Sequence, residues 1–211
     1  ERNGLLYRLL HWLICLIFPP IFRLCYGFRV SGQIPREALL AGGISLCNHV
    51  HMLDCIMVGL AFRAYKLQYL TLAASLRIPV AGMLVRWLGG IPIPKEIEGW
   101  KQVYARVERA FARGEILQIY PEGELLSGCK YLRPFHSGAF RFAVKYQKPV
   151  IPCVLRPYGR GKSRRGLELV ILPALYADAS LPAPKAREKL QQETEFCMRI
   201  ALEGKELGPC R

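Results

Sequence analysis

Asn48-His49-Val50-His51-Met52-Leu53-Asp54 lies where an apolar run gives way to a helical pattern. Residues 43–47 (GISLC) are short and apolar and predict a buried strand, whereas residues 53–62 predict a packed helix. His49 is then expected at the carboxyl end of the strand. Asp54 is expected in the first turn of the helix, where the helix dipole favours an ionised carboxylate.

This spacing makes His49 and Asp54 a candidate general base with its partner. A carboxylate that accepts a hydrogen bond from one imidazole nitrogen fixes the tautomer and leaves the other nitrogen free to take a proton. Histidine suits this chemistry because it titrates near neutral pH. The structural alternative is that Asp54 only caps its helix and that His49 is an ordinary buried histidine.

The chain of 211 residues is long enough for one domain with a full core. Its formal charge of +14 attracts nucleic acid, anionic lipid headgroups or acidic small molecules. The basic residues are dispersed and carry no nucleic-acid-binding signature, so we predict no nucleic-acid partner. Eight cysteines without a Cys-x-x-Cys pair indicate reduced thiols in a cytosolic setting.

The N-terminal region is strongly apolar. Residues 5–18 (LLYRLLHWLICLIF) are too short to span a bilayer comfortably, and Pro19-Pro20 is expected to end their helix. Residues 21–28 then form a second apolar piece. Two short helices with Trp, Tyr and Arg near their ends predict a shallow membrane anchor over residues 1–29, and the alternative is a pair of ordinary core helices.

Residues 30–211 alternate between strand-like and helix-like patterns. This alternation predicts an α/β domain with a mixed, mainly parallel central sheet flanked by helices. We predict strands at 44–47, 68–72, 90–93, 116–120, 150–155 and 167–172. We predict helices at 54–63, 80–88, 98–113, 137–145 and 184–202, with Gly114 as the stop of the third.

Two further motifs follow predicted strands. The strand at 116–120 runs into Pro121-Glu122-Gly123, and ligands bind at the carboxyl ends of strands in open α/β sheets. Glu122 is therefore expected to face the same crevice as His49, although Pro-Glu-Gly is also an ordinary turn. Residues 89–95 (GGIPIPK) lead a short strand into Lys95, which could hold a phosphate or only solvate a surface.

Together these blocks resemble the glycerolipid acyltransferases, of which the 1-acylglycerol-3-phosphate acyltransferases are the best-known branch. Asn48-His49 with Asp54 resembles the family's His-x4-Asp motif, and residues 120–123 (YPEG) look like its Phe-Pro-Glu-Gly motif. Residues 89–95 fall where a Gly-rich strand ending in arginine is expected. Residues 150–154 (VIPCV) are similar to the fourth block, and order and spacing agree over about residues 30–172.

The resemblance implies transfer of a fatty acyl group from acyl-CoA or acyl-carrier protein to a hydroxyl of lysophosphatidic acid or another lysophospholipid. His49 would be the general base and Asp54 its partner. No metal or organic cofactor is implied, and the enzyme would work on membrane lipids at the cytoplasmic face of the cell membrane. The implied substrate-binding residues are Asn48, Lys95, Pro121, Glu122 and Gly123.

Departures from the family pattern bear on the acceptor. Glu124 and Leu125 follow Gly123 where threonine and arginine are usual, and Lys95 replaces an arginine. Arginine binds phosphate bidentately and lysine does not. An acceptor with a substituted headgroup, or an amine-bearing or non-phosphate lipid, is therefore the alternative. Phosphate could still be met by Lys95, Lys130 or Arg133.

Other interpretations remain open at this point. A non-catalytic membrane-binding adaptor could use the same fold. A metallohydrolase could use Cys47, His49, His51 and Asp54, although alternate residues of a strand point to opposite faces and no distant His or Cys pair completes a zinc site. The basic residues between Arg156 and Arg165 could bind coenzyme A phosphates, a carrier protein or headgroups, or could be a solvated loop. Residues 84–93 and the N-terminal helices could line an acyl groove or be plain core.

Overall fold

The computed structural model describes residues 2–73, 85, 86, 88–159 and 165–204 of the chain. The helices are α1 (Arg2–Tyr26), α2 (Asp54–Ala61), α3 (Trp100–Ala112), α4 (Gly138–Tyr146) and α5 (Ala183–Leu202). A 3-10 turn at Ile97–Gly99 precedes α3. The strands are β1 (Arg29–Ser31), β2 (Gly43–Cys47), β3 (Leu67–Leu72), β4 (Gly90–Ile93), β5 (Ile116–Ile119), β6 (Val150–Gly159) and β7 (Arg165–Ile171).

Within the described residues the strands form one sheet in the order β1-β7-β6-β2-β5-β3-β4. All neighbouring pairs are parallel except β6 and β7, which run antiparallel. The predicted mixed, mainly parallel sheet flanked by helices is therefore confirmed. β1 was not predicted, because three residues are too few to show a periodic pattern. Most of the helix predicted at 80–88, and residues 160–164 of the basic loop, lie outside the described residues.

Helices cover both faces of the sheet. Leu117 and Ile119 of β5 face a core formed with α3, α4 and α5, whereas Ile116 of the same strand faces a core formed with α1 and α2. Alternate residues of a strand point to opposite faces, so β5 contributes to both cores. The central strand β2 is buried at every position. This burial explains why β2 and β5 are continuous apolar runs in the sequence.

The spacing of apolar residues explains how α3 packs. Its buried residues Val103, Val107, Ala110 and Phe111 recur at the interval of one helical face. Gly114, with a φ of 69°, follows the helix in the left-handed region that favours glycine. The predicted helix stop at Gly114 is therefore confirmed.

Helix α1 corrects one prediction. The helix continues through Pro19 and Pro20 to Tyr26, so the prediction that these prolines separate two short helices was wrong. A proline inside a helix removes one hydrogen bond and costs roughly 3 kcal/mol. Phe22 is fully buried, and its ring packs against Phe18 and Tyr26 at centroid distances of 5.3 and 5.9 Å. This aromatic stripe holds the helix against the domain on both sides of the prolines.

The opposite side of α1 is exposed and apolar. Its exposed side chains include Leu9, Trp12, Leu16 and Leu24. Residues Arg8–Tyr26 are long and apolar enough to cross a membrane by length and composition. Length and composition alone are weak support for a membrane-spanning helix, because core helices and signal sequences share these properties.

The order of strands decides which motifs meet. β2 and β5 are parallel neighbours, with Leu46 opposite Ile119. Their carboxyl ends therefore place residues 48–54 beside residues 120–123. β4 lies two strands beyond β5, at the edge of the sheet. Because strands are about 4.8 Å apart, the end of β4 lies roughly 14 Å from the end of β2.

Candidate active site

The histidine and aspartate of the first motif form a direct pair. His49 Nδ1 lies 2.7 Å from Asp54 Oδ2. The Asp54 side chain is fully buried at the start of α2, and the His49 side chain is 23% exposed. Because a carboxylate can only accept, Nδ1 carries the shared proton. Nε2 of neutral His49 is then the nitrogen that can accept a proton.

Hydrogen bonds within the loop between β2 and α2 fix this pair. The His51 N–H donates to Asp54 Oδ2 at 3.4 Å, and the Leu53 N–H donates to His51 Nδ1 at 3.1 Å. The ring of Tyr26, at the end of α1, packs edge-on against the His51 ring with centroids 5.1 Å apart. The end of the exposed apolar helix therefore contacts the loop that carries His49.

Asn48 joins two strands. It is fully buried, its Nδ2 donates to the Leu155 carbonyl at 3.0 Å, and its Oδ1 accepts the Leu155 N–H at 2.8 Å. Its side chain therefore connects the end of β2 to β6. Asn48, predicted to bind substrate, has both ends of its amide bonded to the backbone of Leu155.

Glu122 and Arg133 form a second pair beside His49. The Glu122 side chain is fully buried, and its Oε2 accepts the His49 N–H at 3.2 Å. The same oxygen accepts Arg133 Nη2 at 2.7 Å and Nε at 3.2 Å, while Oε1 accepts the Arg133 N–H at 3.2 Å. Arg133 Nη2 also donates to the Glu124 carbonyl. Glu122 thus holds both the base and an arginine that is 17% exposed.

The turn at Pro121-Glu122-Gly123 requires its glycine. Gly123 has a φ of 81°, and a Cβ at this position would lie 2.9 Å from the His136 ring. The Pro121 carbonyl accepts the His136 N–H at 2.8 Å. Pro121 and Gly123, both predicted to bind substrate, shape the turn that places Glu122 under His49.

The loop after this turn closes over the His49 loop. The Leu126 N–H donates to the His49 carbonyl at 3.1 Å, and the Gly128 N–H donates to the Val50 carbonyl at 2.9 Å. Leu126 and Met52 are exposed apolar side chains on the two loops. The entrance to the candidate site is therefore partly apolar.

Tyr120 is a neighbour of His49 that the sequence analysis did not single out. Its ring stacks on the imidazole, with centroids 4.1 Å apart and planes inclined by 19°. Burial, and secondly the charge of Asp54, raise the pKa of Tyr120 well above its usual range. The available signal in the sequence was a tyrosine where the resembled motif has phenylalanine.

Lys95 lies away from this group. It is exposed and follows β4 at the sheet edge, so the strand order separates it from His49. Among the described residues, Arg133 is the cation that hydrogen bonds connect to the His49 loop, through Glu122. The sequence had named Arg133 only as one of three basic residues that could meet a phosphate.

An apolar cleft lies between α1, α2 and β3, on the face of the sheet that carries Tyr120. Gly59 of α2 lines this cleft without a side chain. A Cβ at this position would lie 2.9 Å from the Tyr69 hydroxyl, which is too close. The lining residues are His11, Ile14, Cys15, Ile56, Gly59, Leu60, Leu67, Tyr69 and Leu88. Leu88 and the α1 residues belong to the two segments proposed from the sequence as walls of an acyl groove.

Metal-binding geometry is not found in the described ranges. In these parts of the chain, no three His, Cys, Asp or Glu side chains lie close enough together to hold an ion. The metallohydrolase interpretation therefore has no ligand set there.

Comparison with known proteins places this arrangement in a family. Residues 28–156, which contain both loops of the site, match the profile of the family described as Acyltransferase. The chain belongs to the acyltransferase family. The resemblance to glycerolipid acyltransferases, predicted from four motifs, is thereby confirmed.

Two relatives of this acyltransferase family member are informative. A lyso-ornithine lipid O-acyltransferase from Pseudomonas aeruginosa is 29% identical over 137 residues, which are 63% of this chain and 50% of that protein. The chain thus spans about half the length of this curated relative. The crystal structure of the 1-acyl-sn-glycerophosphate acyltransferase PlsC from Thermotoga maritima superposes with a TM-score of 0.65. At 20% identity, over 92% of this chain and 78% of that one, this likeness shows the same fold.

Proposed function

We propose that this protein transfers a fatty acyl group from a thioester to a hydroxyl of a lysolipid, with His49 as the general base. The observation that carries the proposal is the 2.7 Å contact between His49 Nδ1 and the buried Asp54 carboxylate. This contact occupies Nδ1 and leaves Nε2 of a partly exposed imidazole to take the proton of the acceptor. General base catalysis of this kind contributes about 10²- to 10⁴-fold to a rate.

The chemistry needs only the residues described. His49 Nε2 takes the proton of the acceptor hydroxyl while its oxygen attacks the thioester carbonyl carbon, and Asp54 stabilises the imidazolium. The tetrahedral intermediate then collapses, the C–S bond breaks, and the imidazolium returns the proton to the departing sulfur. Acyl-CoA or acyl-carrier protein enters as a substrate, and the proposed reaction uses no metal or organic cofactor.

Lysophosphatidic acid or another lysophospholipid is the first candidate acceptor, as the family membership suggests. Arg133 is placed to contact its headgroup, because it lies beside the His49 loop and remains partly exposed. This arginine takes the part that the sequence analysis had offered to Lys95.

An amine-bearing lysolipid is the second candidate, and the charges of the site favour it. The charge of Arg133 is already paired with Glu122, and Glu124 next to them is exposed. A doubly charged phosphate gains little from a neutralised arginine and is repelled by a nearby carboxylate. The named substrate of the Pseudomonas relative, a lyso-ornithine lipid, fits this alternative.

We further propose that the apolar cleft under α1 holds the acyl chain. We also propose that α1 attaches the enzyme to the cytoplasmic face of the cell membrane, and this second proposal can be tested directly. Trp12 and Leu16 are exposed on α1. Trp12→Glu with Leu16→Glu should reduce co-sedimentation with phosphatidylglycerol vesicles several-fold. Phe196→Glu is the matched control, since Phe196 is equally exposed on α5. Equal sedimentation of both variants would refute the role of α1.

The decisive experiment is product mass spectrometry. The purified protein receives long-chain acyl-CoA or acyl-carrier protein together with lysophosphatidic acid, lysophosphatidylethanolamine or lyso-ornithine lipid. We expect an acylated product that falls by at least about 100-fold in a folded His49→Ala variant. An undiminished product would remove His49 as the base. No product from any pair, with vesicle binding retained, would favour the membrane-binding adaptor.

A further inference from the structure

Three buried oxygen atoms lie without partners on one face of the sheet. Among the described residues, Tyr120 Oη, Asp54 Oδ1 and Gln118 Oε1 are inaccessible to solvent and make no hydrogen bond with the protein. Buried polar groups in native proteins are nearly always hydrogen-bonded, to protein or to internal water. The proposed reaction uses Asp54 Oδ2 and leaves all three of these atoms unexplained.

The geometry of β5 places Tyr120 between the sheet and α2. Ile116 and Tyr120 belong to the core that α2 covers, whereas Leu117 and Ile119 belong to the opposite core. Gln118 therefore shares the face of Tyr120. Asp54 begins α2 on this same face, so its free oxygen and the Tyr120 hydroxyl occupy one buried layer.

The free atoms of Tyr120 and Asp54 are chemically complementary. A phenol hydroxyl donates, and a carboxylate oxygen accepts. A charged acceptor makes a stronger hydrogen bond than the neutral amide oxygen of Gln118. An internal water can accept from the Tyr120 hydroxyl and donate to the carboxylate oxygen of Asp54, which links the two atoms.

We propose that Tyr120 is a positioning residue for the candidate base, with its ring stacked on His49 and its hydroxyl bound to Asp54 Oδ1 through one internal water. The ring then sets the plane of the imidazole, and the hydroxyl withdraws charge from the carboxylate that faces it. This inference rests on the proposed role of His49 as general base. It concerns a hydroxyl that the resembled Phe-Pro-Glu-Gly motif does not have.

The test separates the ring from the hydroxyl. Tyr120→Phe keeps the stacked ring and removes the donor, and phenylalanine is the residue of the resembled motif, so the variant should fold. Without the donor, Asp54 favours the imidazolium more strongly. The midpoint of the His49 ring titration, followed by NMR, should then move to higher pH. Tyr120→Leu removes the stacking as well and should lower kcat more than it changes KM.

Matched controls make the result specific. Tyr69→Phe removes a hydroxyl of the same layer that donates to the Cys55 carbonyl at 3.0 Å, and should leave the His49 titration in place. Gln118→Leu removes the competing acceptor and should also leave it in place. The other ionisable groups around His49, namely His51, Asp54, Glu122 and Arg133, are unchanged in all these variants.

The titration needs neither acyl donor nor acceptor, so it can succeed or fail independently of the proposed reaction. A His49 midpoint that is the same in Tyr120→Phe and in the wild type would overturn the bond to Asp54. A shift in Gln118→Leu without one in Tyr120→Phe would assign the hydroxyl to Gln118 and also overturn it. A shifted midpoint in a protein that forms no acylated product would retain Tyr120 as a positioning residue and remove the proposed function.

Discussion

The two ends of strand β5 carry similar groups for different purposes. At the amino end, the buried Glu115 accepts Arg113 Nε at 2.7 Å and Gln68 Nε2 at 2.7 Å, and Lys66 Nζ lies 3.2 Å away. At the carboxyl end, the buried Glu122 accepts one arginine and the N–H of His49. Both ends thus hold a carboxylate with an arginine, but the second lies beside a histidine.

The two ends of β5 differ in whether a reactive group lies beside the paired carboxylate. Glu115 is surrounded by two cations and an amide, and its cluster lies at the end of the sheet opposite to the site. Beside Glu122, His49 keeps Nε2 free for a proton. In open α/β sheets, ligands bind in the crevice outside the carboxyl ends of the strands. The same ion pair therefore stabilises the fold at one end and positions a reactive group at the other.

Asp54→Asn would test the functional end most severely. An asparagine cannot stabilise the imidazolium and can hold the wrong tautomer of His49, so we expect kcat to fall about 10²- to 10⁴-fold. Product mass spectrometry under initial-rate conditions measures the change. Asp178→Asn is the control, because this partly exposed aspartate pairs with Lys189 and the variant should retain activity within about two-fold. A loss of similar size in both variants would contradict the comparison.

Glu122→Gln should affect both activity and stability. The variant leaves Arg133 without its countercharge, and breaking a buried ion pair from one side costs about 3 kcal/mol of unfolding free energy. We expect kcat to fall, since the variant loses the charge that holds Arg133 and the His49 N–H at one oxygen. Urea unfolding measures the loss of stability, and product mass spectrometry under initial-rate conditions measures the fall in kcat.

A double variant distinguishes the pair from its separate members. Glu122→Gln with Arg133→Met leaves no unpaired charge, so part of the lost stability should return. Stability losses that simply add would show that Glu122 and Arg133 are not coupled.

Glu115→Gln should have the smallest effect, and on stability alone. Arg113 and Lys66 are 55% and 43% exposed, so solvent screens their attraction and we expect a loss of about 1–2 kcal/mol. Activity should stay within about two-fold of the wild type, because the cluster lies opposite to the site. A large loss of kcat in a folded Glu115→Gln protein would contradict the conclusion that the amino end of β5 serves stability alone.

The pH dependence of this loss has a definite sign. Burial opposes ionisation of Glu115, but Arg113, Gln68 and Lys66 outweigh it and hold the pKa of the carboxyl below its usual value of 4.5. A lowered folded-state pKa stabilises the protein above the unfolded-state pKa. The stability difference between wild type and Glu115→Gln should be constant above about pH 5 and shrink as the pH falls below about 4.5. A difference that grew on acidification would contradict the ion pairing.

Local patterns in the sequence were sufficient for the elements that carry the site. β2 and β5 were predicted to within one residue because both faces of each strand are buried, which leaves a continuous apolar run. The pairing of His49 with Asp54 was also predictable, since only five positions separate them and the loop is short. Packing overrode local preference in α1, where the buried stripe around Phe22 keeps the helix intact across two prolines.

The sequence predicted that Glu122 faces the same crevice as His49, but it could not predict which atoms of distant residues meet. Glu122 meets the His49 N–H across 73 positions, and Asn48 meets Leu155 across 107. Their side chains have several possible partners in the sequence, and only the order of the strands selects one of them. The separation of Lys95 from His49 follows from the same strand order, which puts β4 at the edge of the sheet.

The sequence by itself determined the fold class through its alternating patterns and the local histidine and aspartate pair through their short spacing. Four motifs in order gave the resemblance to the family. The sequence also predicted Glu122 in the same crevice as His49, but the tertiary structure alone decided which atoms contact the histidine and aspartate pair. It placed Glu122 beneath the His49 backbone, Arg133 beside it and the Tyr120 ring upon it. The physical reason is that these contacts arise where neighbouring parallel strands end together, and the order of strands is set by packing of the whole sheet.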